Sequence, residues 1–200
     1  VVVDSGCRIV LRSVEWHRNP SHASDAVPPN RHDNVRNEEF VMESHPPRPF
    51  ELRFAVPTDA PRIMELAMTL SEFFPGDFIK VIDKDLGRNP GLVGLLGSDV
   101  VGFIIWMYRD AQTAEILWMG VKEEYHGLHL GTMMLESLEQ ELKKKNVARL
   151  LASTLSYTVD YKPYEKVRAF YYNRGFKSLG IQQDYYQEGL DRLILLKTLR

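Results

Sequence analysis

With 200 residues, 44% of them hydrophobic and 26% charged, the chain holds enough apolar material for one core and reads as one domain plus an appendage. A net charge of −2 gives no reason to expect nucleic acid or an anionic membrane as the main partner, and the single Cys7 excludes an internal disulfide and a thiolate metal cluster. The longest apolar run, around Val100 to Met107, is strand-like and contains Gly102, well short of the roughly 18 residues of a membrane span. The opening VVVDSGCRIVLR lacks the basic segment and sustained apolar run of a signal peptide, so a cytoplasmic location is the expectation.

Composition shifts near residue 50. Six of the eleven prolines fall at or before Pro49, and no lysine appears before Lys80. Residues 1–49 therefore read as a disordered or weakly ordered arm, with too little periodic apolar pattern to offset its own ordering entropy, and residues 50–200 as the folded domain. His17, His22, His32 and His45 have spacings that match no standard metal-ligand pair, so no metal site is assigned.

The domain opens with FELRFAV, which alternates as a strand, and Pro57-Thr58-Asp59, a turn whose Thr58 or Asp59 can cap a helix through Ile63, Met64, Leu66, Ala67 and Leu70. SEFFPGDFIKVID then reads as a loop with a short second helix. Three strand signals follow in GLVGLLG, VVGFIIWMY and TAEILWMGV, with turns at Ser98-Asp99 and near Arg109-Asp110. Such tight connections predict an antiparallel meander.

After TAEILWMGV comes a loop carrying Gly127 and Gly131, then an amphipathic helix. Its buried row is Met134, Leu138 and Leu142, with Gly131 and Leu135 alongside, Glu136, Glu139 and Glu141 largely outward, and Asn146 as the stop after Lys143 to Lys145. A loop that opens a helix leaves several backbone N–H groups unpaired and pointing one way, which suits a phosphate or pyrophosphate. VARLLAST is the next strand, KPYEKVRAFYYNRG a helix ended by Gly175, and FKSLGIQQDYY and DRLILLKTL a final pair of strands. The order predicts an α+β fold with a mixed, mainly antiparallel central sheet flanked by helices.

Two motifs carry a resemblance. HGLHLG, after its strand, is similar to the [Q/R]-x-x-G-x-[G/A] loop of the GCN5-related N-acetyltransferase (GNAT) superfamily, with His126 in the Gln/Arg position, His129 in the Gly position and Gly131 in the last. VRAFYYNRGF resembles the A-x-x-F-Y-x-x-x-G-F signature near the end of such domains. The resemblance covers residues 50–199. It implies acetyl-CoA as co-substrate, with the pyrophosphate on the loop amides through His126, Gly127, Leu128, His129, Leu130, Gly131 and Thr132. The pantetheine arm would then pair with the backbone of Met119, Gly120 and Val121. His126 remains able to donate to phosphate, whereas a side chain at His129 crowds a loop that has to approach one.

The resemblance also implies roles in attack of a neutral amine on a thioester. Glu115 resembles the general-base Glu of histone-type members, and strand alternation groups it with Leu117, Met119 and Val121. Tyr171 matches the tyrosine that serves as general acid toward the CoA sulfur, while Tyr172, one helical step on, faces elsewhere. An acceptor amine finds candidate walls in Phe73, Phe74, Asp77, Phe78, Trp106, Tyr108, Tyr185, Tyr186 and Glu188. The resulting expectation is an N-acetyltransferase acting on a small amine, an amino acid or a protein amino group, with no nucleic-acid or membrane partner and a homodimer left open. A non-catalytic acyl-CoA-binding domain of the same fold is the alternative. A nucleotide-binding module is disfavoured, since GxGxxG is absent.

Overall fold

The structure is a computed structural model that describes residues 50–71, 73 and 78–199. The expected arm at 1–49 lies outside the described residues, as do Phe74 and Asp77. The first strand, β1 (Glu51–Phe54), runs into a single 3-10 turn at Pro57–Asp59 and then helix α1 (Ala60–Thr69), followed by α2 (Phe78–Leu86). Strands β2 (Gly91–Leu96), β3 (Asp99–Asp110) and β4 (Thr113–Val121) form the expected antiparallel meander. Helix α3 (Leu130–Lys144), β5 (Arg149–Leu155), α4 (Pro163–Tyr172), β6 (Lys177–Gln187) and β7 (Leu190–Thr198) complete the chain.

All seven strands join one sheet in the order β1-β2-β3-β4-β5-β7-β6, with β4 and β5 its parallel neighbours. Each face carries an apolar layer. On one side Leu130, Met134, Leu135, Leu138 and Leu142 of α3 and Tyr171 of α4 pack on Ile104, Trp106, Ala114, Ile116, Leu150 and Leu193. On the other, Ile63 and Leu66 of α1 and Phe78 and Ile82 of α2 pack on Val93, Phe103, Ile105 and Trp118. Burying each large aliphatic side chain contributes about 1.5–3 kcal/mol, so the 3.6-residue spacing on α3 is itself enough to fix which face meets the sheet. Among the described residues, no helix is long and apolar enough to cross a membrane.

Several local expectations are corrected by partners distant in sequence or by local geometry. Asp59 caps the 3-10 turn, not α1: it accepts from the Val56 amide at 2.8 Å and binds Arg53 through both oxygens at 2.6 and 2.8 Å. Glu139 does not face outward; it is 9% exposed and is held by Lys197 of β7 at 2.5 Å. Asn146 does end α3, in a left-handed conformation (φ 59°) that places the Val147 amide 3.0 Å from the Leu142 carbonyl oxygen.

The most consequential departure is in β4. Ile116 pairs with Trp106 and Trp118 with Ile105, so Leu117 is an extra residue of β4 opposite a single-residue step of β3. Such a bulge breaks the alternation of faces. Glu115 therefore lies on the α1/α2 face, with Leu117 and Trp118, whereas Met119 and Val121 belong to the α3/α4 layer. The expected grouping of Glu115 with Met119 and Val121 is thus overturned, because one inserted residue reverses every position beyond it.

Candidate active site

The bulge also ends a strand pairing. β4 and β5 are joined at Thr113–Arg149, Ala114–Leu150 and Glu115–Leu151, and no further pair follows. Beyond that point the two strands separate, leaving the β5-facing backbone edge of Leu117 to Val121 without a strand partner among the described residues. Two adjoining cavities fill the gap, one of about 200 Å³ and one of about 670 Å³, and both are walled by Met119, Gly120, Val121, Val167 and Tyr171. Parallel strands that splay in this way present a ready edge to an extended, amide-bearing ligand.

The larger cavity ends at the start of α3. The amides of Leu130, Gly131 and Thr132 open that helix and have no carbonyl one turn earlier to receive them, which makes a local anion site. His129 is the N-cap residue at φ 63°, a left-handed conformation that costs a non-glycine residue on the order of 1–3 kcal/mol when the surroundings impose it. Gly127 takes φ 79° with open space where a side chain would stand. Gly131 serves packing: a Cβ there would come within 3.2 Å of the Phe170 ring, a tight contact that its absence relieves where α3 approaches α4.

His126 is turned back on its own strand, with Nε2 2.8 Å from the Val121 carbonyl oxygen. Since a carbonyl can only accept, Nε2 carries the proton, and a neutral ring then offers Nδ1 as an acceptor. Donation from this side chain to a phosphate consequently requires the doubly protonated ring. Positive charge is supplied instead by Arg174, Lys162 and Lys166, which line the same cavity. Arg174 stacks on Phe170 with its guanidinium carbon 3.8 Å from the ring centre, donates to the Phe170 carbonyl oxygen at 2.9 Å and reaches Thr132 Oγ1 with Nε at 3.1 Å. It is therefore fixed beside the first turn of α3.

Tyr171 stands where the two cavities meet, 6% exposed, with its ring edge-on to Phe170 and Phe176 at 5.2 and 5.1 Å. Burial among these apolar groups pushes its hydroxyl well above the usual phenol value, so it remains a neutral O–H donor near neutral pH. Tyr172 is exposed and faces away, as its position one helical step on predicts.

Glu115 occupies the opposite face of the smaller cavity and is 4% exposed. Arg109 Nε donates to one of its oxygens at 2.5 Å; Arg192 Nη2 donates to the other at 2.7 Å, with Ser153 Oγ 3.5 Å away. Arg192 also donates through Nε to Ser153 Oγ at 2.8 Å and lies over the Tyr185 ring at 4.6 Å. A carboxylate this deep is costly alone, and the two guanidiniums make its burial tolerable.

The family model for "Acetyltransferase (GNAT) family" matches residues 60–176. The chain belongs to the GNAT family. An uncharacterized N-acetyltransferase of Methanocaldococcus jannaschii is 31% identical over 105 residues, which cover 52% of this chain and 64% of that relative, a little under two-thirds of its length. Among solved structures, the ribosomal-protein-S18-alanine N-acetyltransferase of Escherichia coli matches 75% of this chain and 94% of its own at 20% identity, with a TM-score of 0.63. The PaiA N-acetyltransferase of Thermoplasma acidophilum, in complex with coenzyme A, matches 75% and 99% at 22% identity, with a TM-score of 0.58. At these identities the likeness to the solved structures is one of fold.

Within this GNAT domain the cofactor-binding candidates from Met119 to Thr132 lie on one continuous path, the free edge of β4 followed by the α3 N-terminus; of them, Leu128 is exposed and absent from both cavity walls. Glu115 and Tyr171 line one cavity from opposite faces of the sheet. The acceptor candidates divide. Phe73, Phe78 and Tyr186 line the smaller cavity, but Trp106 is fully buried in the α3/α4 layer, Tyr108 lies under Lys145, and Glu188 is exposed in the last hairpin turn. Tyr185 does not line the smaller cavity; its ring lies under Arg192 and edge-on to Tyr186. Four further residues shape the site without standing out in the sequence: Arg109, Ser153, Arg174 and Arg192. Arg174 had a usable signal, four residues after Phe170 in the turn that ends α4, and Arg109 lies one diagonal step from Glu115 across the β3-β4 hairpin. Arg192 had none, being 77 residues from Glu115.

Proposed function

We propose that this protein is an N-acetyltransferase that moves the acetyl group of acetyl-CoA directly to an amine, without a covalent enzyme intermediate. The separation of β4 from β5 after Glu115 carries this reading, because it joins an open strand edge, a helix N-terminus and a buried tyrosine in one cleft. The residues present fit the co-substrate. Backbone groups of Met119, Gly120 and Val121 suit the pantetheine amides, the amides opening α3 suit the pyrophosphate, and Arg174, Lys162 and Lys166 add the charge that the loop histidines do not fix. The coenzyme A complex of the Thermoplasma acidophilum relative supports the same ligand class here.

In the proposed reaction the amine nitrogen bonds to the acetyl carbon as the carbon–sulfur bond breaks. Glu115 accepts the proton the amine loses, directly or through one water, and Tyr171 gives its proton to the departing thiolate. Return of a proton from Glu115 to Tyr171 through solvent closes the balance. Arg109 and Arg192 hold the carboxylate plane in place for this role. The aromatic walls Phe73, Phe78 and Tyr186 make the acceptor side apolar, which admits a small amine, an amino acid or a protein amino group.

One observation favours a second reading, an acyl-CoA-binding domain without turnover: both oxygens of Glu115 are already engaged by guanidiniums. A panel of amines, amino acids and peptide N-termini with acetyl-CoA, followed by free-thiol release, separates the two. Amine-dependent thiol release is expected; tight CoA binding with no release from any acceptor would favour the binding domain.

A further inference from the structure

Glu115 is paired with more positive charge than it neutralises. Arg109 and Arg192 each bond one of its oxygens, and among the described residues no second carboxylate pairs with either guanidinium. Two guanidiniums against one carboxylate leave one positive charge in surplus. The two cations are not equivalent. Arg109, on β3, keeps 31% of its side chain exposed and is no part of the cavity wall, so solvent screens it, whereas Arg192 keeps 11% and lines the smaller cavity together with Glu115 and Ser153. The strand register fixes where the Arg192 guanidinium lies. It starts from β7, opposite Leu155 of β5, and crosses β5 to reach Ser153 through Nε and Glu115 of β4 through Nη2. It therefore spans β5 and β4 where these strands part after Glu115, at the closed end of the gap that the cavity occupies. Its other terminal nitrogen, Nη1, makes only a contact of 3.4 Å to the neutral Gln182 Oε1.

We propose that Arg192 is a specificity-determining residue that binds a carboxylate of the acceptor, and that the acceptor is a free, apolar α-amino acid. This rests on the acetyl-transfer reading above. Where little water screens it, a surplus charge on a cavity wall favours a ligand group of opposite sign, and a guanidinium fork suits a carboxylate. The spacing fits one molecule. Glu115 and Arg192 present opposite charges 2.7 Å apart, and the amino and carboxylate groups of an α-amino acid hang from a single carbon, so its nitrogen can lie by Glu115 while its carboxylate lies on Arg192. A simple amine would leave the surplus charge as it is. Phe73, Phe78 and Tyr186, on the wall of the same cavity, then suit an apolar side chain.

The test measures kcat/KM, by thiol release from acetyl-CoA, for leucine, methionine and phenylalanine, each against its own amide. The amide keeps the amine and the side chain but puts a neutral group where the carboxylate stands, as a peptide N-terminus does. In wild type each amino acid is expected to exceed its amide by about 10- to 100-fold, the range of a hydrogen bond to a charged group. Recognition must then outweigh chemistry, because the amide is the weaker base and offers more free amine at neutral pH. Arg192→Gln should bring that ratio to about one with acetyl-CoA affinity retained, a selective change that loss of support for Glu115 would not produce. Amides used as well as or better than the acids by wild type, or a ratio unchanged in Arg192→Gln, would overturn the proposal and leave the transferase reading standing. Should Arg192→Gln fail to fold, the wild-type ratio decides alone. Absence of thiol release with every acceptor, these and the wider panel alike, would instead sink the transferase reading and this proposal together.

Discussion

The two faces of the cleft prepare their polar groups by opposite means. On the α1/α2 face Glu115 is buried between two cations, Arg109 and Arg192, at 2.5 and 2.7 Å. On the α3/α4 face Tyr171 is buried with no charge, because burial against Phe170, Phe176 and the surrounding core pushes its hydroxyl well above the usual phenol value. A charged group held by cations is stable in place but costly to disturb, whereas a desolvated neutral donor is nearly free of structural duty. The faces should therefore respond differently to substitution: one through folding, the other through chemistry.

The largest expected effect is on chemistry. Tyr171→Phe removes one oxygen from an apolar environment, so the fold should be unaffected while turnover falls about 10²- to 10⁴-fold, the usual contribution of a positioned acid. Acetyl-CoA affinity, measured by calorimetry, should be retained; unchanged turnover would remove Tyr171 from the mechanism.

On the other face, Arg192→Met leaves the buried Glu115 short of one cation and should cost on the order of 3 kcal/mol in urea unfolding. The double variant Glu115→Leu/Arg192→Met should regain much of that stability without regaining activity, since it replaces an ion pair by apolar contacts. An Arg192→Met protein as stable as wild type would erase the contrast between the faces.

A smaller effect is expected where the cleft meets the anion site. Arg174→Ala should weaken CoA binding about tenfold at low salt and reduce its salt dependence, because a charge-assisted contact is lost while the α3 amides remain.

The smallest effect lies outside the cleft. The Arg53 hydrogen bond, with help from the Val56 amide, holds the Asp59 carboxyl below its ordinary value of 3.8. The stability this supplies is fully present above that value and is lost as pH falls through the lower folded value. Arg53→Ala should therefore cost about 1 kcal/mol or less near neutral pH and flatten the acid limb of the stability profile. An acid limb identical to that of wild type would detach Asp59 from acid unfolding.

What was legible in the sequence was whatever repeats locally. The i, i+4 row of Met134, Leu138 and Leu142 fixed α3 and its buried face, Asn146 marked its end, and the three short apolar runs marked the meander. What escaped depended on partners far along the chain or on one inserted residue. Glu139 looked solvated because Lys197, its partner, lies 58 residues away. Two of the three expected face-mates of Glu115, Met119 and Val121, lie on the other face because nothing in TAEILWMGV announces the bulge at Leu117. That same bulge accompanies the divergence of β4 from β5, so the feature hardest to read locally is the one that opens the site.

The free edge of β4 is the center of the account, and amide hydrogen exchange tests it most directly. On addition of acetyl-CoA, amides in the segment from Leu117 to Val121 should exchange more slowly, together with those of Leu130 to Thr132 at the start of α3. Binding of acetyl-CoA with protection at the α3 start but none from Leu117 to Val121 would contradict the assignment of that strand edge to the co-substrate.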